Sequence, residues 1–382
     1  MENNLELLYC AEWAKDRERS WSGTTYGLRQ ALHRHVQLRD FDLPNCSESL
    51  FFRLNNKVRN YLGIRDLELS KMRMQQSECN KHSSDFKKAA IFQFSEVPAV
   101  ENGETHYIYQ DLPVEWLWNC RNDNPELFKY TGSYYQNIST SAFKARLKLQ
   151  RQFYNGCRGV FTMRKWLAKY LVQECGLPNE KVHHVGGGIN SSPHALDPLS
   201  RKRNTFLFAG RDFERKGGDL VLAAFAKLIE AGYDYRLIIA GPEENPAPGA
   251  RGVQFVGDLD NSFLGNLMAT SDVFVMPSRF EAYGLVFPEA MAAGLPCIGT
   301  DKFEMPYFIE DGVNGRTVGS ESIEELSLAM QDCLISDSIR EQAMKRSSEV
   351  QEEYSWDSVA KRIELVINED MHSDTRNRTN NL

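Results

Sequence analysis

From Asn204 to about residue 350, short apolar runs alternate with helical ones, and this alternation constrains the fold more than any other feature. "NTFLFAGR" (204–211), "YRLIIAGP" (235–242), "VQFVG" (253–257), "DVFVMPS" (272–278) and "LPCIGT" (295–300) read as strands. Between and after them, 217–232, 262–271, 288–294, 321–334 and 337–350 carry helical spacing. Strands this short and this uniformly apolar are buried on both faces, which requires helices above and below a parallel sheet. The expectation is an α/β, doubly wound fold. The first half repeats the pattern with insertions. "LELLYCAEW", "KAAIFQFSEV", "THYIYQDL", "CRGVFTM" and "KVHHVGGG" are its strand candidates. Residues 27–36, 48–62, 140–154 and 164–175 are its helix candidates, and 66–86 shows no clear period.

At 382 residues the chain is too long for one ordinary core and suits two domains. The predicted boundaries are 1–190 for an N-terminal Rossmann-like domain and 203–350 for a C-terminal one. A hinge is predicted over 189–204, a last helix over 351–370 and a disordered tail over 371–382. No apolar run approaches the length that spans a bilayer, and the acidic start "MENNLELLYCAEW" makes a poor signal peptide. Eight scattered cysteines, none in a C-x-x-C pair, read as reduced thiols of a cytoplasmic protein.

The net charge of −7 is uneven. Residues 1–200 hold 26 Lys+Arg against 22 Asp+Glu, and the remainder holds 19 against 30. Residues 141–170 contain no acid. That stretch suits an anionic lipid surface, a phosphate-linked acceptor or nucleic acid, and equally a solvated helix face.

The chemistry concentrates in "FVMPSRFEAYGLVFPEAMAAGLPCIGTD" (274–301). A strand delivers the chain to the carboxyl edge of the sheet, where open parallel sheets bind ligands. Pro288 suits a first helical turn. The amides of Gly284, Leu285 and Val286 then point outward as an anion site, and Gly284 allows close approach. A carboxylate beside a phosphate site makes sense if the ligand also carries hydroxyls. Glu289 is placed to grip a ribose and Glu281 to face a sugar or acceptor. Both acids also fit a plain preference for a helix N-terminus, worth roughly 0.3–1 kcal/mol each. "GRDFERKGG" (210–218) adds Arg211 and Lys216 after another strand of the same domain. They suit a diphosphate leaving group. There is no G-x-G-x-x-G, P-loop, H-E-x-x-H or strand-flanked D-x-D, which weakens dehydrogenase, kinase and metal-held diphosphate readings.

These residues resemble glycosyltransferase family 4, the retaining group 1 enzymes with the two-domain GT-B fold. The likeness runs through "FAGRDFERKGGDLVLAAFAKL", "LIIAGP", "VQFVGDL", the 270–301 segment, "FIEDGVNGRTV" and "EEYSWDSVAKRI". More loosely it includes "WSGTTYGLRQAL" and "KVHHVGGGIN". The resemblance implies two Rossmann-like domains facing across a cleft, with the donor on the C-terminal one and the acceptor on the N-terminal one. It implies that Arg211 and Lys216 bind the diphosphate and Glu281 sits near the transferred sugar. Tyr283, Gly284, Leu285, Val286 and Glu289 hold the donor, Val256 and Gly257 lie near the base, and Gly23 approaches the phosphates.

Where many members carry a histidine after an N-domain strand, this chain has Asp111, which suits an acceptor hydroxyl and equally a turn or cap. His106 begins that strand, too early to reach. No metal, pyridoxal phosphate or other cofactor is expected beyond the nucleotide-sugar donor. The expected partners are that donor, a glycan or lipid-linked acceptor, and an anionic membrane surface, with no nucleic acid. The competing readings are a phosphorylase or sugar-phosphate synthase on the same fold, and a non-catalytic nucleotide-sugar binder.

Overall fold

The computed structural model describes residues 6–45, 66, 68–86, 89–99, 105–190, 204–319 and 321–380. The helix expected over 48–62 lies outside the described residues, as does most of the hinge segment. The chain forms two compact units, Met1–Gly188 with Trp356–Leu382, and Ile189–Ser355.

The first unit is built on six parallel strands in the order β2-β1-β3-β4-β5-β6. They are β1 (Glu6–Ala11), β2 (Gln37–Asp42), β3 (Ala90–Gln93), β4 (His106–Gln110), β5 (Gly159–Thr162) and β6 (Val182–His184). β3 and β4 are buried along their whole length, as the apolar runs require. On one face Leu8, Cys10 and Ile91 pack under Met72, Cys79 and Phe86. Around β4 and β5, Ile108 and Val160 pack with Phe153, Leu167 and Leu171. The strand order reverses between β1 and β3.

Among the elements that depart from the sequence reading, three lie in this unit and bear on its packing. Residues Leu69–Lys81 form a helix, buried through Leu69, Met72, Gln75 and Cys79. The 3-3-4 spacing is helical, but a glutamine fills one of the buried positions and hides the period. β2 was not anticipated because, as the edge strand, it is mostly exposed and polar. The tail expected to be disordered from 371 is instead helix: the final helix runs Trp356–Asn380 without a proline or glycine to stop it. Its start is fixed by contact. The Trp356 ring lies so close to Gly27 and Gly188 that a Cβ at either would come within 2.3 Å of it. Further along, Arg362 Nε donates to Val185 O at 2.7 Å and Tyr107 Oη to Asp370 Oδ2 at 2.8 Å.

The second unit carries six parallel strands in the order β12-β11-β10-β7-β8-β9. They are β7 (Thr205–Ala209), β8 (Arg236–Ala240), β9 (Val253–Gly257), β10 (Val273–Val275), β11 (Cys297–Thr300) and β12 (Gly315–Val318). The chain proceeds from β7 to β8 and β9, then returns to place β10 on the other side of β7. The amino ends of β7 and β10 are locked by Asp272, which is 1% exposed and accepts from Asn204 N and Thr205 N at 3.0 Å each. The topological switch point, where ligands bind in such sheets, therefore lies beyond the carboxyl ends of β7 and β10.

Candidate functional site

Two loops leave that switch point. Residues 210–217 follow β7 and lead into the helix Gly218–Glu230; residues 276–285 follow β10 and lead into the helix Val286–Ala292. Their close approach depends on glycine. Gly217 has φ +74°, and a Cβ there would lie 2.3 Å from Pro277 O. A Cβ at Gly210 would lie 2.3 Å from Lys216 Cδ, so Gly210 makes the channel in which the Lys216 side chain runs. Gly284, at φ +80°, lets the backbone turn tightly against Glu281 and Met305.

The loops are joined by charge. Lys216 Nζ lies 2.7 Å from Glu281 Oε2, and the two side chains are only 15% and 9% exposed. Arg215 donates from Nη1 to Phe280 O at 2.9 Å and lies 3.8 Å from Glu281. Arg279 is forked onto Asp219 at 2.7 and 2.8 Å and reaches Glu321 at 2.9 Å; the Asp219 carboxylate raises its pKa. Neither Arg215 nor Arg279 was among the expected site residues. Their sequence signal is two more cations in the same two loops, and sequence alone does not separate a cation that clamps acids from one that faces a ligand.

The remaining expected residues fall as follows. Arg211 points along the carboxyl edge to Asp258, at 3.0 Å, and both side chains are largely exposed. Val256 and Gly257 end β9 at that edge, half-buried. Among the described residues, the amides of Gly284, Leu285 and Val286 donate to no protein acceptor, and the helix they open has no side-chain cap. Glu289 is buried and its Oε1 accepts from Asn190 N at 3.2 Å. Tyr283 is 4% exposed with its ring edge-on to Phe308 at 5.5 Å, a packing position within the fold. The arrangement at the two loops combines a nearly buried ammonium–carboxylate pair, amides that donate to no described protein acceptor and an arginine on one sheet edge. It has the chemistry to hold an anion beside a hydroxyl-bearing group.

In the first unit, Gly23 has φ +87° and precedes the helix Thr24–Leu32, at the carboxyl end of β1. Asp111 follows β4, its Oδ2 4.0 Å from Nη2 of Arg164, whose side chain is wholly buried. His106 is buried beneath, with its Nδ1 2.8 Å from Gln93 Oε1, and burial lowers its pKa to about 4. Burial does the same to His184, also to about 4. The described cysteines are free, and burial raises the thiol pKa of Cys10, Cys79, Cys120, Cys157, Cys175, Cys297 and Cys333. These thiols are inert packing groups at neutral pH. No helix among the described residues is long and apolar enough to cross a membrane.

Residues 197–351 match the family model "Glycosyl transferases group 1". A phosphatidyl-myo-inositol mannosyltransferase of Mycolicibacterium smegmatis is 31% identical over 179 residues, 45% of this chain and 46% of that protein. Another protein of that name, from Mycobacterium leprae, is 28% identical over 276 residues, 68% of this chain and 72% of it. The match thus spans about half the length of the first of these relatives. Among solved structures, WaaG, a glycosyltransferase involved in lipopolysaccharide biosynthesis, aligns with a TM-score of 0.64 at 18% identity, over 94% of this chain and 99% of that one. The likeness establishes the GT-B fold class, with one Rossmann-like sheet in each unit. The similarity to the glycosyl transferases group 1 family runs through residues 197–351.

Proposed function

We propose that the chain is a retaining, metal-independent glycosyltransferase of family 4 that moves a sugar from a nucleotide-diphosphate sugar to a hydroxyl acceptor in glycan or glycolipid biosynthesis. The observation that carries this reading is the Lys216–Glu281 pair, nearly buried at the β7/β10 switch point. A bare ion pair in that position gains little stability, since desolvation offsets its attraction. It makes sense as a poised site: Lys216 meets the departing diphosphate while Glu281 meets the sugar's hydroxyls. Arg211, already on the same edge, adds a planar fork for phosphate oxygens. The glycosidic bond breaks with oxocarbenium character, its electron pair leaving with the diphosphate, and the acceptor hydroxyl attacks from the face that group vacates. Asp111 is the candidate to accept from the acceptor hydroxyl in the first unit. The names of the mannosyltransferase relatives support a glycolipid acceptor.

A cytoplasmic, peripherally membrane-bound location fits the helix Thr140–Gly156, which exposes Lys144, Lys148 and Arg151 beside Leu149, itself 40% exposed. Liposome sedimentation that ignores lipid charge ends that part of the reading.

The central test is Lys216→Ala. With the donor identified by a thermal-shift screen of nucleoside diphosphates and their sugars, kcat is expected to fall about 100- to 1000-fold. A variant at near wild-type rate removes the assigned role. Full activity in excess chelator is expected; loss of activity overturns metal independence.

A further inference from the structure

The carboxyl edge of the first unit carries a feature that the donor chemistry leaves unused. Trp21 is 38% exposed, yet it is held in a left-handed conformation at φ +46°, followed by Ser22 at +57° and Gly23 at +87°. Such backbone is strained for non-glycine side chains and persists only where the surroundings enforce it. Here the enforcement is aromatic. The Trp21 ring is gripped edge-on by Phe94 at 5.7 Å and Tyr109 at 6.0 Å, with interplanar angles of 84° and 76°. Phe94 in turn packs on Tyr9 and Tyr109. Phe94 lies just beyond β3 and Tyr109 is in β4, so the indole sits over these two strands, of which β3 borders the switch point. A hydrophobic ring that only needed burial has no reason to be mounted this way with more than a third of its surface in water.

Two residues beyond Tyr109, Asp111 follows the same strand; burial first, and then the Asp111 charge, raise the Tyr109 pKa. Arg164, wholly buried at the end of the adjacent β5, stands 4.0 Å behind the Asp111 carboxylate. Arg164 is itself held from the side by the Trp166 ring, 5.5 Å from its guanidinium carbon. Thus a rigid aromatic face and an electrostatically tethered carboxylate are displayed on one sheet edge.

We propose that Trp21 and Asp111 form a subsite for a polyhydroxylated six-membered ring, the indole stacking on its C–H face and the carboxylate accepting from a ring hydroxyl. Polarised C–H groups of such a ring meet the negative face of an aromatic, and indole offers the largest such face. A carboxylate supplies the acceptor lone pairs that vicinal hydroxyls need. That the ring belongs to the acceptor rests on the glycosyl-transfer reading; that the subsite binds a ring does not. Two sources share this chemistry, a pyranose of a glycan and a cyclitol headgroup.

Saturation-transfer NMR on the full chain, with methyl α-D-glucopyranoside, methyl α-D-mannopyranoside and myo-inositol as separate probes, tests the proposal. At least one probe is expected to bind, with its C–H protons saturated most strongly. Trp21→Ala should weaken it about tenfold, Trp21→Phe should retain most of the binding, and Asp111→Asn should weaken it without abolishing the C–H contacts. The probe that binds identifies the source. Failure of all three to bind, or undiminished binding by a Trp21→Ala protein with wild-type circular dichroism, overturns the subsite. Thermal shift of the wild type with nucleoside diphosphates is read separately: its failure strikes the glycosyl-transfer reading and leaves the ring subsite standing.

Discussion

Both sheets are parallel with a single reversal of strand order, but they arm their switch points differently. Beyond β7 and β10 the chain places charge: Lys216 against Glu281, Arg279 against Asp219 and Glu321, with glycines thinning the backbone so the loops can meet. At the reversal between β1 and β3 it places rings, with Phe94 touching Trp21, Tyr9 and Tyr109 and Trp21 also touching Tyr109. The first unit's best-buried ion pair among the described residues joins Arg146 to Glu96, two residues past Phe94. Gln150 Nε2 also donates to Glu96 at 2.7 Å, while Gln150 Oε1 accepts from Val114 N at 2.8 Å. On the proposed reading, one unit keeps buried charge ready for a ligand, and the other uses it as a strut.

That contrast is sharpest in stability. Arg146→Ala strands Glu96, which is 3% exposed, and is expected to cost about 3–5 kcal/mol. Lys216→Ala leaves Glu281 with Arg215 still 3.8 Å away, so its cost should be far smaller while the activity loss is large. Denaturant midpoints of the two variants, measured side by side, check this. Equal destabilisation makes the Lys216–Glu281 pair another strut.

The meeting of the two loops gives the next effect. Gly217→Ala forces a Cβ to within 2.3 Å of Pro277 O at a positive φ, so about 1–3 kcal/mol of stability should be lost. Ligand-induced thermal shift should shrink with it, because Lys216 precedes the clash and Pro277 leads to Glu281. A stable Gly217→Ala protein that binds nucleotide normally shows that the loops do not need this approach.

Acid should act through the first unit. Burial holds His106 and His184 near pKa 4, while an unfolded chain takes these protons near 6.5. Between those values the unfolded state binds more protons, so stability falls as pH falls from 6.5 to 4 and levels off below. The midpoint of thermal unfolding followed over that range should drop, and His106→Gln should flatten part of the drop. An unchanged slope in the variant removes His106 as a contributor.

Much of this was legible beforehand, for definite reasons. The strands of the second unit announce themselves because Phe206, Leu207, Phe274 and Ile298 are buried on both faces and leave no polar alternation to misread. That Lys216 and Glu281 would lie at one sheet edge could be read because each follows a strand end of the same parallel sheet. Tyr283 was expected to contact the donor; that its ring packs edge-on to Phe308 depends on a residue well beyond the loop, which the loop's own sequence does not reveal. The Trp21 mount was invisible: positive φ at a tryptophan follows from Phe94 and Tyr109 closing around it, which no local pattern encodes. The helix Leu69–Lys81 was hidden by Gln75, whose burial is explained by its amide donating to Glu12 and Pro44 O at 3.2 Å each.

The smallest stability effect belongs to Arg211, and it separates structure from function most cleanly. Its ion pair with Asp258 has good geometry, but the side chains are 76% and 54% exposed, so solvent screens the attraction. Exposed pairs of this kind contribute about 0–1 kcal/mol. Arg211→Ala should therefore leave the unfolding midpoint within error of wild type. If Arg211 exchanges Asp258 for a diphosphate, the same variant should lose nucleotide affinity, and the loss should shrink as salt is raised, since screening already weakens the wild-type contact. Titration of nucleoside diphosphate at low and high ionic strength measures both. Unchanged affinity at low salt would leave Arg211 as an ornament of the β9 edge and shift the anion site wholly onto Lys216 and the amides of Gly284 to Val286.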